Sequence, residues 1–114
     1  MGDNWISVRI SGREAEQDLR SLCDWLRHEP DVSRHARISL ASAEPQPGEM
    51  GAALEAIQLI TDGSFQALSF AVAYVSWRGT RLGRSQVTIE RHGTKVTLDD
   101  ADPDTVNKIV HALG

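Results

Sequence analysis

Cys23 is the single cysteine among 114 residues, so an intramolecular disulfide is excluded, as are a cysteine-rich metal framework and a secreted disulfide scaffold. The chain also lacks any apolar run long enough for a bilayer. Its most apolar stretch, Phe65 to Trp77, is broken by Gln66, Ser69 and Ser76 and falls short of the roughly 20 residues that a spanning helix needs. Met1-Gly2-Asp3-Asn4-Trp5 has no basic segment followed by an apolar one, so it does not read as a secretory leader. These absences set a cytoplasmic, reducing location as the expectation. Basic charge is scarce too: 12 Lys and Arg against 16 Asp and Glu give a net charge of −4, which argues against general nucleic-acid affinity. Nothing in length or composition marks a linker or a second core, so residues 1–114 are read as one domain.

The residues that are present alternate in polarity in several places. Ile6, Val8 and Ile10 face one way and Trp5, Ser7 and Arg9 the other, the period-2 pattern of a half-buried strand. Ser11 and Glu14 have capping-box spacing, and Ala15, Leu19, Leu22, Cys23 and Leu26 then recur at helical intervals up to Pro30, giving a helix over about 13–28. Arg37 to Ser42 alternates again as a second strand. After the Pro47-Gly48 turn, Met50, Ala53, Leu54, Ile57 and Ile60 share one helical face, which predicts a second helix ending at Gly63. A third helix, capped by Ser64 and apolar nearly all round, should be the most buried. Val87, Ile89, Val96 and Leu98 alternate around Arg91-His92-Gly93 as an antiparallel hairpin. Asp102 and Pro103 then open a last helix with Val106, Ile109, Val110 and Leu113 on one stripe.

The expected order is βαβααββα, an α+β two-layer sandwich. A right-handed crossover places the first two strands parallel in a mixed four-stranded sheet, and the helices lie mainly on one face. The inward set is Ile6, Val8, Ile10, Ile38, Leu40, Val87, Ile89, Val96 and Leu98; Trp5, Arg9, Thr88, Glu90, Lys95 and Thr97 face outward.

Against that frame the patterns of catalysis are missing. Cys23 lies on the apolar face of its helix, where a thiol packs as a small hydrophobe. His28, His35, His92 and His111 fall in separate segments without metal-ligand spacing, so neither zinc nor another metal is expected. Asp100, Asp102 and Asp104 alternate like the start of a calcium loop, but Pro103 intrudes, and Thr105 and His111 stand where the turn glycine and closing glutamate belong. Gly48-x-x-Gly51 and Gly79-x-x-x-Gly83 lack the lysine of a phosphate loop, and Gln66 stands where a serine-hydrolase elbow at Ser64 needs glycine. The chain is therefore expected to be no enzyme and to need no cofactor.

Two features suit binding instead. Arg78, Arg81 and Arg84 form a basic spot after the third helix; such arginines either fork carboxylates or stay solvated at a helix C-terminus. Trp5 and Trp25 lie off the main apolar stripes, where an exposed aromatic would serve as an anchor and a buried one as core. The segments Trp5 to Ile10, Pro47-Gly48-Glu49-Met50-Gly51 and Val87 to Gly93, in this order over nearly the whole chain, resemble the effector-associated constant components, short actinobacterial proteins. The resemblance implies a non-enzymatic adaptor or sensor of a bacterial conflict system, a form of bacterial immunity. Its partner would be a nearby encoded effector such as a trypsin-like or caspase-like peptidase, with no nucleic acid or membrane involved and with room for a homo-oligomer. A small-molecule-sensing regulatory domain, with a pocket beneath the third helix, is the alternative. The expected partner-binding residues are Trp5, Arg9, Trp25, Arg78, Arg81 and Arg84.

Overall fold

A computed structural model describes residues 5–12, 14–42, 54–80, 86–91, 93–98 and 104–113. The chain runs β1 (Trp5–Ser11), α1 (Ala15–Arg27), α2 (Pro30–Ser33), β2 (Ala36–Ser42), β3 (Leu54–Thr61), α3 (Ala67–Arg78), β4 (Gln86–Arg91), β5 (Thr94–Leu98) and α4 (Thr105–Leu113). The fold is α+β, but the sheet has five strands in the order β2-β3-β1-β4-β5, and every neighbouring pair is antiparallel.

The four-stranded mixed sheet is thus corrected at one element. Residues 54–61, expected as helix, form β3 and lie between β2 and β1, while 48–53, the start of the expected helix, lie outside the described residues. β1 and β2 do run in the same direction, each antiparallel to β3, but they are not neighbours. Ile57 and Leu59 of β3 are fully buried, whereas Gln58 and Ile60 between and beyond them are exposed, the signature of a pleated strand with one face on the core.

α1 keeps its expected inner stripe, with Leu19, Leu22, Cys23 and Leu26 buried. Its start differs from the capping box. Ser11 ends β1, Gly12 takes φ 136°, and Glu14 stands at the N-cap with no side-chain hydrogen bond. Only glycine adopts that φ without a steric cost, so Gly12 turns the chain from strand to helix. Pro30 does more than stop α1: with φ already fixed and no N–H to satisfy, it opens the single turn of α2. α3 starts after Gln66 and not at Ser64, whose N–H is donated to Asp62 Oδ1 at 2.8 Å. The β4–β5 hairpin is as expected, with Gly93 at φ 81° in its turn. Asp102 and Pro103 lie outside the described residues.

The inward faces of β1, β3, β4 and β5 and the inner sides of α1, α3 and α4 close one core around Phe70, Tyr74 and Trp77. Full burial of each Leu, Ile or Phe here contributes about 1.5–3 kcal/mol. α3 spans α1 and α4 as the third wall of that core. Its outer side carries Leu68, Val72 and Val75, which are 55%, 52% and 39% exposed, so α3 is not sealed on all sides.

Candidate protein-binding surface

The strand register writes out the face of the sheet turned away from the core. Trp5 pairs with Ile60, and Ile60 with Arg37, so these three side chains lie in one row across β1, β3 and β2. The next row is Ser39, Gln58, Ser7, Glu90 and Lys95, and beyond it Arg9 stands beside Thr88 and Thr97. Ser and Gln fill the middle of this face, and its large apolar groups collect at the first row. Trp5 is 39% and Ile60 57% exposed. Neighbouring strands set such opposed side chains in contact range, so aromatic and aliphatic surfaces join into one patch.

Arg9, which shares the outward face with Trp5, ion-pairs with Glu55, Nη2 to Oε1 at 3.3 Å. The pair depends on a β-bulge. Ala41 pairs with Ala56 but Ser42 with Leu54, leaving Glu55 as the extra residue of β3. Simple alternation would send Glu55 inward with Ile57, and the bulge re-aims it outward. Both partners are largely solvated, so the bridge is worth about 0–1 kcal/mol and mainly orients Arg9.

A groove of about 570 Å³ adjoins the Trp5 row at the ends of β2 and β3, with Arg34, Arg37 and Ile60 in its lining beside His35 and Asp62. His35 Nδ1 lies 3.3 Å from Asp62 Oδ2. The Asp62 carboxyl is held below its ordinary pKa, first by the Ser64 N–H and then by hydrogen bonding and charge from His35. A depressed carboxylate favours the folded state above its unfolded pKa, and that contribution fades as pH falls through the lowered value. Around this corner the charge is predominantly basic on a chain whose net charge is −4.

Of the other expected binding residues, the two that are described, Trp25 and Arg78, are not gathered here. Trp25 is half-buried against the core, with its indole N–H buried and unbonded among the described residues. Arg78 is half-buried at the end of α3, and Arg81 and Arg84 lie outside the described residues. Ile60 and the Leu68, Val72, Val75 stripe were missed in the sequence, the first because its strand has helical spacing, the second because an apolar helix reads as core.

Cys23 is buried, and its thiol pKa is raised chiefly by that burial, so it stays protonated and unreactive. Among the described residues no three His, Cys, Asp or Glu side chains are placed to hold a metal ion. Cys23→Ala is accordingly expected to cost about 1–2 kcal/mol, the price of a small buried cavity, and to leave any biological activity intact. A variant with near-normal melting but no activity would contradict this.

Residues 11–114 match the family model described as Effector Associated Constant Component 1. The chain belongs to that family. No curated protein and no solved structure matches it. The family's name implies association with an effector. No helix among the described residues is long and apolar enough to cross a membrane.

Proposed function

We propose that this domain is a non-enzymatic adaptor of a bacterial conflict system, and that it couples a signal to a peptidase-like effector by holding that effector on the outer sheet face. The observation that carries the reading is the Trp5–Ile60 pair: two large apolar side chains, opposed in register and both exposed, on a face otherwise made of small and polar residues. An aromatic anchor rimmed by arginines, here Arg9 and Arg37, is the composition of a binding hot spot. The small-molecule-sensing alternative needs space beneath α3, where Phe70, Tyr74 and Trp77 are packed.

Titration calorimetry with the effector encoded beside this protein tests the proposal. Trp5→Ala is expected to weaken Kd by roughly tenfold or more, the effect of removing one hot-spot residue, with little change in melting temperature. Arg9→Ala should act in the same direction and more weakly, since its charge is already shared with Glu55. Wild-type affinity in Trp5→Ala, with affinity lost instead in Val72→Lys, would move the interface to α3 and sink the proposal.

A further inference from the structure

A five-stranded open sheet has two edges, and the two are treated differently here. At the β2 edge, Ile38 O points out of the ladder and accepts Arg27 Nη2–H at 3.2 Å and Nε–H at 3.4 Å from the last turn of α1. α1 and α2 both lie along that strand. A guanidinium on the outward carbonyl blocks the docking of another strand, one of the ways in which edges are protected.

The β5 edge is built otherwise. Arg91 pairs with Thr94 across a two-residue turn, so Arg91/Thr94, Ile89/Val96 and Val87/Leu98 are the hydrogen-bonded pairs of the hairpin. Lys95 and Thr97 consequently turn their N–H and C=O groups away from β4. Solvent reaches this edge through a groove of about 480 Å³, with Thr94, Lys95 and Val96 on the strand side and Asn107, His111 and Ala112 on the α4 side.

This edge fits a second copy of itself. Two β5 strands set antiparallel about a two-fold axis at Val96 place Lys95 opposite Thr97 of the second copy, and the reverse. Each of these residues then exchanges N–H···O bonds with its opposite number, which satisfies both outward pairs in one short register. Val96 meets Val96 of the second copy on the helix side, closing apolar surface over the groove. On the other face no like charges are directly opposed, because Lys95 meets a threonine and has Glu90 beside it on β4. A longer foreign strand gains little more, since β5 has only five residues.

We propose that the protein self-associates through the β5 edge, joining two five-stranded sheets into one continuous sheet across a two-fold axis at Val96. The contact leaves the Trp5–Ile60 corner, which lies on the face and not at this edge, open on both copies, and it needs no effector.

Sedimentation equilibrium on the full chain alone, from about 1 μM to about 1 mM, tests it across the range of weak to firm association. The wild type is expected to rise from 12.5 kDa towards twice that mass. Lys95→Pro removes an outward N–H while leaving the bonds to β4 in place, and is expected to weaken dimerisation at least tenfold with near-normal melting. Thr97→Pro tests the same edge independently. Amide exchange of the wild type adds a readout that needs no variant: the Lys95 and Thr97 N–H groups should become slower to exchange as concentration rises. A monomer at every concentration overturns the proposal. So does a dimer that survives both proline variants, or one that disperses only in Val72→Lys.

Discussion

Replacing Trp77 by alanine is expected to remove about 3–5 kcal/mol of folding free energy, the range for truncating a large buried aromatic. Against a total of about 5–15 kcal/mol for a domain of this kind, that leaves the protein marginal. The residue sits in the last turn of α3, is 1% exposed, and stacks at a tilt on Tyr74 with ring centroids 6.0 Å apart. Its indole N–H is donated to Ser21 Oγ on α1 at 3.0 Å, so one side chain both fills the core and fixes α3 against α1. Two further variants separate these roles. Trp77→Phe keeps much of the ring volume and discards the hydrogen bond, while Ser21→Ala keeps the ring and removes the Oγ acceptor, at about 0.5–1.5 kcal/mol. Urea unfolding of the three proteins measures this directly. A loss below about 1 kcal/mol in Trp77→Ala would mean that the α1–α3 contact does not bear on the core.

The elements that could be read from the sequence are those in which one period occurs alone. β1 alternates cleanly because its outward residues Ser7 and Arg9 are polar, and the β4–β5 hairpin does so for the same reason, with Thr88, Glu90, Lys95 and Thr97 outside. α1 and α4 are amphipathic on a helical repeat, with Leu19, Leu22 and Leu26 on one and Ile109 and Leu113 on the other. β3 obscures its own period. Ile60 is apolar yet outward, and the bulge at Glu55 breaks the strict alternation that Ile57 and Leu59 begin. What remains, Leu54, Ile57 and Ile60 preceded by Met50 and Ala53, matches a helical face by coincidence. An outward Trp5 was therefore visible in the sequence, but its neighbour Ile60 was not, because the pair exists only once β3 is known to lie against β1. α3 fails in the opposite direction. Helical spacing separates Leu68, Val72 and Val75 from Phe70, Tyr74 and Trp77, but an apolar composition cannot say which side faces water.

Two adjacent residues of β3 should respond to the same substitution in opposite ways, and the second large effect is found there. Leu59→Asp is expected to prevent folding. Leu59 is fully buried on an interior strand between β1 and β2, paired with Ile6 and Ile38, all inside the apolar core. A carboxylate there must either shed its solvation without a partner or take up a proton, and either outcome costs several kcal/mol on top of the lost apolar burial. The sum approaches or exceeds the whole stability of a small domain. Ile60→Asp, one residue further on, is expected to cost about 1 kcal/mol or less, because that side chain is already 57% exposed and loses chiefly β-propensity. The contrast discriminates between strand and helix. On the helical face expected for this segment Ile60 points inward with Ile57, which would make Ile60→Asp the damaging change and Leu59→Asp the milder one. Circular dichroism melts of the two variants settle the matter, and an unfolded Ile60→Asp beside a folded Leu59→Asp would overturn the strand. The same Ile60→Asp protein, folded, then bears on binding: with the apolar half of the Trp5–Ile60 patch replaced by a charge, effector affinity should fall while melting hardly moves.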